Sequence, residues 1–503
     1  KVAYVQTEID EKEDQNVSTI WVVSTDGSEP VQFTRGPKRD TAPRWSPDGT
    51  RLAFLSDREG KHAQLYVMPA TGGEPRKLTS LERGAGPAVW SPDGQTLVFE
   101  SRVPERPAPK EESQRRQWEQ RPKVITRAQY KADGEGYILD ARTHLFLIPA
   151  NGSRDPQQLT DGDAEDRAPV WSPDGSSIAF TRTRGGSTEY SLSDVWTLQI
   201  TWEADGRALA GNLRCCTAEP GRAISPSWSP NGQTIACYGT DEALPGAGDP
   251  MHRVWLVPAG GGQAERAAPN FDRTAVFLPP PANTPGPAWS PDGTNVTFMA
   301  ADAGNIHIVR AHIDSGTVEP LITGERQVTS ASFAAGKIAF SATDGLKPAD
   351  VYVTGDGSTG ERRLTRVNDA LLREVRMPQV ERRTFDSPNG GTVDGWLYRP
   401  PEASGATPLL LHIHGGPHSY VGNGFYPSAM HLYVLAARGW SVLALNFTGS
   451  GSYTKDFACA LRGRWGEHDL PEHLAAIDTL VAEGSVDGDR LAVAGYSYGG
   501  YMT

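Results

Sequence analysis

Short runs of alternating hydrophobic and polar residues, each preceded by the same turn, recur along residues 1–366. The turn is Trp-Ser-Pro-Asp-Gly, with Asn for Asp in the fourth copy, and its copies begin at Trp45, Trp90, Trp171, Trp228 and Trp289. Proline presets φ for the second position of a turn, and Asp-Gly supplies a local hydrogen bond and a permissive backbone. Each unit has hydrophobic faces that it cannot bury alone, so the units must stack. The pattern therefore predicts a β-propeller.

We count seven blades in this pattern, the last of them marked by a degenerate copy of the turn at 332–336. The first blade begins at Lys1 without its opening strand and ends near Thr34. This missing strand suggests that further sequence precedes Lys1. The other blades are expected at 41–80, 86–160, 167–218, 224–268, 285–323 and 328–366.

The third blade carries a polar insertion from Arg102 to Gly136. The insertion is rich in Arg, Lys, Glu and Gln and poor in apolar residues, so we favour a solvated loop or helix. The alternative is a substrate gate built on its arginines: Arg115, Arg116, Arg121 and Arg127. A propeller by itself states no function, because many propellers serve only as binding platforms.

The pattern changes after Arg376, where strands begin to alternate with helices. Residues 380–400 predict two strands around an Asn-Gly-Gly turn, and the apolar segment 409–413 is typical of a strand buried in a mostly parallel sheet. Further elements alternate as helix, strand, helix and strand: 428–438, 440–445, 470–483 and 490–494. The order predicts an α/β domain. The chain is thus expected to be multidomain, with the seven-bladed propeller over 1–375 and the α/β domain over 376–503.

The strongest chemical signal is Gly-Tyr-Ser-Tyr-Gly at 495–499, which matches the G-x-S-x-G nucleophile elbow. In such an elbow the serine sits on a strained turn between a strand and a helix, and small neighbours let the backbone fold that sharply. The hydroxyl of Ser497 would then point out of the sheet. The N–H of Tyr498 would be free to stabilise an oxyanion.

A second glycine-rich motif, His-Gly-Gly-Pro at 414–417, follows an earlier apolar strand. Its glycines let a backbone N–H approach a substrate oxygen closely, so this loop is expected to supply the second oxyanion donor. We favour the N–H of Gly416, with Gly415 as the alternative. The elbow motif is weak evidence alone. Together, the two motifs, each directly after an apolar strand, predict a nucleophilic serine.

Five segments carry a resemblance to a known family: 412–417, 446–451, 465–466, 486–490 and 495–503. They resemble the prolyl oligopeptidase family of serine peptidases, most closely its acylaminoacyl-peptidase branch. The resemblance implies a propeller that caps the active site of an α/β-hydrolase domain and admits only short or unstructured peptides. It implies Ser497 as nucleophile and the N–H groups of Tyr498 and Gly416 as the oxyanion hole. Thr448 departs from the family pattern, which leads us to expect arginine there.

The remaining members of a catalytic triad are expected outside this sequence. In α/β-hydrolases the chain order is Ser, then Asp or Glu, then His, so the catalytic Asp and His are expected downstream of Thr503. Upstream histidines could also be considered as the base. His414 belongs to the glycine-rich loop, and the other five have no motif that places them beside the nucleophile: His412, His418, His431, His468 and His473. A sheet that ended at the elbow strand would also expose an apolar edge. We expect on the order of 100–150 further residues, as a missing segment or a separate chain, to complete the hydrolase domain.

Composition narrows the classes of function. Acidic residues number 61 and basic residues 49, and the resulting net charge of −12 argues against nucleic-acid binding. No apolar run is long enough to span a membrane. The four cysteines lack metal-ligand spacing and are interpreted as reduced thiols of a cytoplasmic protein: Cys215, Cys216, Cys237 and Cys459. No metal or organic cofactor is implied, and the resemblance implies homo-oligomers.

The leading functional hypothesis is a serine exopeptidase that releases N-acyl amino acids from short N-acylated peptides. Dipeptidyl-peptidase, carboxypeptidase and oligopeptidase specificities are alternatives on the same fold, and a plain esterase is disfavoured because a small ester needs no size filter. Dipeptidyl release needs carboxylates that bind a free amine, and the only adjacent glutamates are Glu111 and Glu112. Carboxypeptidase action needs arginine near the pore. An alternative of another class is a non-enzymatic propeller scaffold.

Overall fold

The computed structural model describes residues 1–36, 38–104, 109, 111–128, 130–132, 136–139, 141–185, 192–217, 221–242, 251–275, 285–355 and 360–503. In this part of the chain, antiparallel sheets come first and a mixed sheet with helices follows. The arrangement is a propeller domain followed by an α/β-hydrolase domain.

The propeller sheets follow one another along the chain, and strands within each are adjacent in sequence apart from the insertion. The first has three strands: β1 (Val2–Asp10), β2 (Gln15–Val23) and β3 (Val31–Gln32). The second has β4 (Asp40–Trp45), β5 (Arg51–Ser56), β6 (Gln64–Pro69) and β7 (Arg76–Lys77). The third has β8 (Val89–Trp90), β9 (Thr96–Pro104), β12 (Ala141–Pro149) and β13 (Gln157–Gln158). Its insertion holds the exposed helix α1 (Glu112–Gln120) and the hairpin β10 (Lys131–Ala132) and β11 (Gly136–Tyr137).

The later sheets repeat the four-strand pattern. The fourth has β14 (Asp166–Trp171), β15 (Ser177–Thr183), β16 (Ser193–Trp202) and β17 (Ala208–Cys215). The fifth has β18 (Ala223–Trp228), β19 (Thr234–Gly239), β20 (Arg253–Pro258) and β21 (Glu265–Arg266). Two further sets join through the single parallel pair Ile306 and Gln327. They are β22 (Ala288–Trp289), β23 (Asn295–Asp302), β24 (Asn305–His312) and β25 (Val318–Ile322), then β26 (Gln327–Ala334), β27 (Lys337–Thr343), β28 (Asp350–Gly355) and β29 (Arg362–Arg363).

The repeated turn has the hydrogen bonds that its residue types predict. Ser46 Oγ donates to Asp48 Oδ1 at 2.5 Å, and the N–H of Thr50 donates to the same oxygen at 3.0 Å. In the fourth copy the amide oxygen of Asn231 accepts the equivalent bonds, from Ser229 Oγ at 2.7 Å and Gln233 N at 3.0 Å. The turn therefore requires an acceptor at this position, whether a carboxylate or an amide. The closing glycines of the five copies all have positive φ, between 68° and 73°.

The tryptophan of the repeat has a second function that the pattern did not reveal. The indole N–H of Trp90 donates to the carbonyl of Arg44 in the preceding sheet at 3.0 Å. Trp228 and Trp289 bond in the same way to Val170 and Ser227, at 3.3 Å and 3.2 Å. These three copies thus tie neighbouring sheets together as well as turning the chain, whereas the indole N–H groups of Trp45 and Trp171 are buried without a partner among the described residues.

After α2 (Asp369–Glu374), the second domain is a five-stranded sheet in the order β30, β31, β33, β32, β34. Its elements are β30 (Gln379–Asp386), β31 (Thr392–Arg399), β32 (Thr407–Ile413), a 3₁₀ turn (Pro427–Ala429), α3 (His431–Ala437), β33 (Ser441–Asn446), α4 (Lys455–Cys459), α5 (Asp469–Ala482), β34 (Val486–Gly495) and α6 (Tyr498–Met502). β32 pairs in parallel with β33 and β34, and the other pairs are antiparallel. Within the described residues β34 has a partner on one side only, and its Leu491 and Val493 are 46% and 44% exposed.

Two composition-based expectations can be compared with the structure. All four cysteines are free thiols. Among the described residues, no helix combines the length and the apolar character that a membrane span requires. Cytoplasmic location and assembly into homo-oligomers stay predictions.

Candidate active site

The turn between β34 and α6 holds Ser497 in an unusual backbone conformation, with φ 56° and ψ −118°. Close backbone contacts explain the two glycines of the motif. A Cβ on Gly495 would lie 2.2 Å from the carbonyl oxygen of Gly499, and a Cβ on Gly499 would lie 2.0 Å from that of Ile413. Any side chain at either position would collide with backbone. The motif residues are therefore those that this turn requires.

The side chain of Ser497 is exposed, and its Oγ has no hydrogen-bond partner among the residues the structure describes. The upstream histidines make other contacts. His412 Nδ1 and His431 Nε2 are 3.0 Å apart, and His468 contacts Arg464 at 3.0 Å. His473 is buried against the ring of Phe447. The expectation that the acid and base lie beyond Thr503 stays a prediction.

The ring of His414 orients the glycine loop from the buried side. Its Nδ1 donates to the carbonyl of Gly415 at 2.9 Å, and its Nε2 lies 2.9 Å from Ser450 Oγ. Burial lowers the pKa of His414 to about 4, so the ring is neutral near pH 7. With the proton on Nδ1, Nε2 must accept from the Ser450 hydroxyl.

This contact also sets the direction of the N–H of Gly416. In a trans peptide the C=O and the next N–H point in opposite directions. Because the carbonyl of Gly415 is held by His414, the N–H of Gly416 is directed away from that ring. Gly415 lies beside the nucleophile, since a Cβ on it would be 3.4 Å from the Cβ of Ser497.

Tyr498 is the first residue of α6, so its N–H has no carbonyl one turn earlier in the helix. Its hydroxyl donates to the fully buried carboxylate of Asp469, which also accepts from the N–H of Gly466 at 2.8 Å. Burial, reinforced by Asp469, raises the pKa of Tyr498 well above its usual value, so the phenol stays a donor. The ring of Trp465 packs edge-on against Tyr498 with centroids 5.0 Å apart. Asp469 and Trp465 thus fix the residue whose N–H begins α6, a role that sequence reasoning did not assign to Asp469.

Thr448, the departure from the family pattern, has a defined partner. Its N–H and its hydroxyl donate to the buried carboxylate of Glu472 at 2.7 Å and 2.6 Å. Ser387 Oγ and Asn389 Nδ2 donate to the same carboxylate at 2.6 Å and 3.2 Å. Four neutral donors therefore satisfy the buried carboxylate of Glu472.

Because three histidines are buried in the neutral form, we expect the folded protein to lose stability in weak acid. Burial lowers the pKa values of His412, His414 and His473 to about 4, against 6.5 for an ordinary histidine. The unfolded chain binds protons at these sites below about pH 6.5 whereas the folded chain does not, so stability is full above that pH and falls towards pH 4. We expect His473 alone to account for roughly 2–3 kcal/mol of unfolding free energy across this window.

The measurement is urea unfolding of wild type, His473→Gln and His62→Gln at pH 7, 6, 5 and 4. His62 is an exposed control. The His473 variant should show a shallower pH dependence than the other two. Identical slopes for all three proteins would contradict the prediction.

Comparisons with known proteins identify relatives of both parts of the chain. Residues 9–130 match the TolB beta propeller domain, and residues 426–503 match the prolyl oligopeptidase family. An uncharacterized peptidase of Bacillus subtilis, YuxL, is 32% identical over 514 aligned residues, covering 100% of this chain and 76% of the relative. Dipeptidyl-peptidase 5 of Porphyromonas gingivalis is 25% identical, with 98% of this chain and 71% of the relative covered.

Solved structures show the same fold. The acylaminoacyl peptidase of Pyrococcus horikoshii superposes with a TM-score of 0.78 at 20% identity, over 100% of this chain and 72% of that one. A puromycin-hydrolyzing peptidase of Mycobacterium tuberculosis superposes with a TM-score of 0.71 at 18% identity, over 100% and 73%. At these identities the likeness concerns the fold alone.

Proposed function

The chain belongs to the prolyl oligopeptidase family of serine peptidases, and on that basis we propose that it hydrolyses short peptides through an acyl-enzyme on Ser497. The observation that carries the proposal is the positive-φ Ser497 on its tight turn, with the Gly415–Gly416 loop beside it. Ser497 Oγ attacks the scissile carbonyl and a base takes its proton. The N–H groups of Tyr498 and Gly416 stabilise the oxyanion. The leaving amine takes the proton, and water then hydrolyses the ester.

We further infer that the propeller limits substrate size. Two observations support a seven-bladed propeller over 1–375 and a hydrolase domain over 376–503. Apart from the β10–β11 hairpin, the described antiparallel sheets number seven when the two halves of the eight-stranded sheet are counted separately, and the mixed sheet comes after them. A propeller that covers the nucleophile would admit short or unfolded peptides and exclude folded proteins.

For the specificity, we favour release of N-acyl amino acids. Dipeptidyl release needs carboxylates available to a free amine, but Glu111 and Glu112 bind Gln114 and Arg116 on their own exposed helix. Recognition of a C-terminal carboxylate needs available arginines.

The four arginines considered for that task in the insertion are all engaged. Arg115 and Arg116 form helical ion pairs with Glu119 and Glu112. Arg121 lies 3.9 Å from the ring centroid of Trp118, and Arg127 is paired with Asp163. These contacts support neither the gate interpretation nor a carboxypeptidase.

Dipeptidyl-peptidase activity is the second candidate. The Porphyromonas gingivalis relative that bears this name aligns with 98% of the chain, across both domains. Because the similarity extends over the propeller as well as the hydrolase domain, this relative is relevant to how the peptide end is bound.

One peptide sequence in four forms separates these candidates. The peptide Ala-Ala-Phe-Ala is prepared with its N-terminus free or acetylated and its C-terminus free or amidated, and products are identified by mass spectrometry. The proposal expects N-acetyl-alanine from both acetylated forms and no cleavage of the free-amine forms. Release of Ala-Ala from free-amine forms only would establish a dipeptidyl-peptidase, and loss of C-terminal alanine from free-acid forms only a carboxypeptidase. No cleavage, together with no fluorophosphonate labelling, would favour the non-enzymatic scaffold.

A further inference from the structure

A hairpin turn of the propeller, between β23 and β24, is inserted into the hydrolase domain. The N–H of Ala303 donates to the carbonyl of Ser452 at 2.6 Å, and the N–H of Gly304 donates to Ser452 Oγ at 3.0 Å. The carbonyl of Gly304 accepts from the N–H of Asn423 at 3.0 Å. Each of these three bonds crosses from one domain to the other.

The turn fits its socket without spare room. A Cβ on Gly304 would lie 2.4 Å from the buried ring of Trp396, and a Cβ on Gly422 would lie 1.8 Å from the carbonyl oxygen of Gly304. Asn423 donates to Asn305 Oδ1 at 2.8 Å and accepts from the indole of Trp396 at 2.8 Å. These close contacts therefore fix the position of the propeller relative to the hydrolase domain at this point.

The residues that receive the turn are connected, through a short series of contacts, to the loop of the candidate oxyanion hole. Ser452, which receives the turn, is fully buried and has φ 66°, a conformation that a non-glycine residue adopts only when its surroundings hold it. Two residues earlier, Ser450 is also fully buried, and its hydroxyl is the one that donates to His414. His414 in turn holds the carbonyl of Gly415.

We propose that the Ala303–Gly304 turn of the propeller is a positioning element for the oxyanion hole, acting through Ser452 and Ser450 on the His414–Gly415 contact. The inference rests on the proposed function. Without the turn, the carbonyl and hydroxyl of Ser452 lose their partners, and the positive-φ loop is free to relax. Ser450 then leaves His414, the Gly415 peptide can rotate, and the N–H of Gly416 no longer points at the reacting carbonyl. Docking of the propeller thus sets catalytic competence as well as access.

The test uses the intact protein with three variants and one control. Ser450→Ala removes the donor to His414, Ser452→Ala removes the acceptor for Gly304, and Gly304→Ala forces the turn out of its socket. Ser441→Ala is the matched control, because Ser441 is equally buried and its Oγ bonds Thr407 at 2.6 Å, but it lies at the opposite end of β33. Thermal unfolding establishes whether each variant is folded. If Gly304→Ala fails to fold, Ser452→Ala still tests the proposal.

The diagnostic readouts are kcat, KM and inhibition by a peptide aldehyde, whose adduct places an oxyanion in the hole. We expect kcat to fall about 10- to 100-fold in Ser450→Ala and Gly304→Ala, with KM within about 2-fold and weaker aldehyde inhibition, because only transition-state stabilisation is lost. The double variant Gly304→Ala/Ser450→Ala should be no worse than the poorer single variant, since both changes break one chain of contacts. Ser441→Ala should keep wild-type kcat.

The outcomes separate this inference from the function on which it rests. A wild-type protein that neither hydrolyses peptides nor reacts with a fluorophosphonate would overturn both. An active wild type with normal kcat in Gly304→Ala and Ser452→Ala would overturn the inference alone. Multiplicative losses in the double variant would also overturn it, because they would mean that turn and hydroxyl act independently.

Discussion

Replacement of Ser497 by alanine is expected to abolish fluorophosphonate labelling and to lower peptide hydrolysis about 10⁴- to 10⁶-fold. Ser497 occupies the exposed position of the only G-x-S-x-G turn in the chain, beside the glycine loop. Intact-mass measurement after fluorophosphonate treatment should show one adduct for wild type and none for the variant.

The control for this experiment is Ser441→Ala, which should label like wild type. A third variant, Ser497→Gly, should be equally inactive but more stable than wild type by about 1 kcal/mol, because glycine tolerates the positive φ at this position. An adduct that persists in Ser497→Ala, or that maps to another residue, would remove Ser497 from the mechanism.

Replacement of Gly499 by alanine should be nearly as damaging, by a different route. The new methyl would lie 2.0 Å from the carbonyl oxygen of Ile413, a backbone atom that cannot yield without displacing β32. We expect an activity loss of at least about 1,000-fold, or failure to fold, since overpacking against backbone costs several kcal/mol. Labelling rate and thermal unfolding together distinguish a displaced nucleophile from an unfolded domain.

Gly500→Ala is the matched control, because it is the same substitution one residue along the same helix. Its nearest neighbour would be the carbonyl oxygen of Gly495 at 3.6 Å, an ordinary contact. Alanine is the better helix former, so this variant should be active and slightly more stable. Equal damage in the two variants would show that helix composition, and not the contact with Ile413, sets the requirement for glycine.

The parts that sequence predicted best are those encoded by short, local segments. The turn from Ser46 to Thr50 needs only its own five residues, and the elbow at 495–499 needs glycine for backbone contacts that any such turn creates. The alternation of apolar strands and helices after Arg376 was likewise sufficient to predict the α/β order.

The parts that sequence did not predict depend on residues far apart in the chain. The indole of Trp90 reaches Arg44, and the Gly304 turn reaches Ser452, 148 residues later. The sequence marks Thr448 only as a departure, because its partner Glu472 lies 24 residues later in α5. Hydrophobic periodicity and local motifs carry no information about contacts between distant residues, so only the folded structure reveals these pairs.

The amide at position 231 also has an evolutionary consequence. Asn231 accepts the same two bonds as Asp48 from the serine hydroxyl and the backbone N–H, so exchange between Asp and Asn keeps these two bonds while changing the charge of the protein by one. Asp48 and Asp174 accept a further bond from a hydroxyl two residues later. The five turns therefore form a set of sites at which the surface charge of the propeller can drift, or be adapted to a different salinity, at little structural expense. The surface charge of the propeller can therefore change separately from its fold.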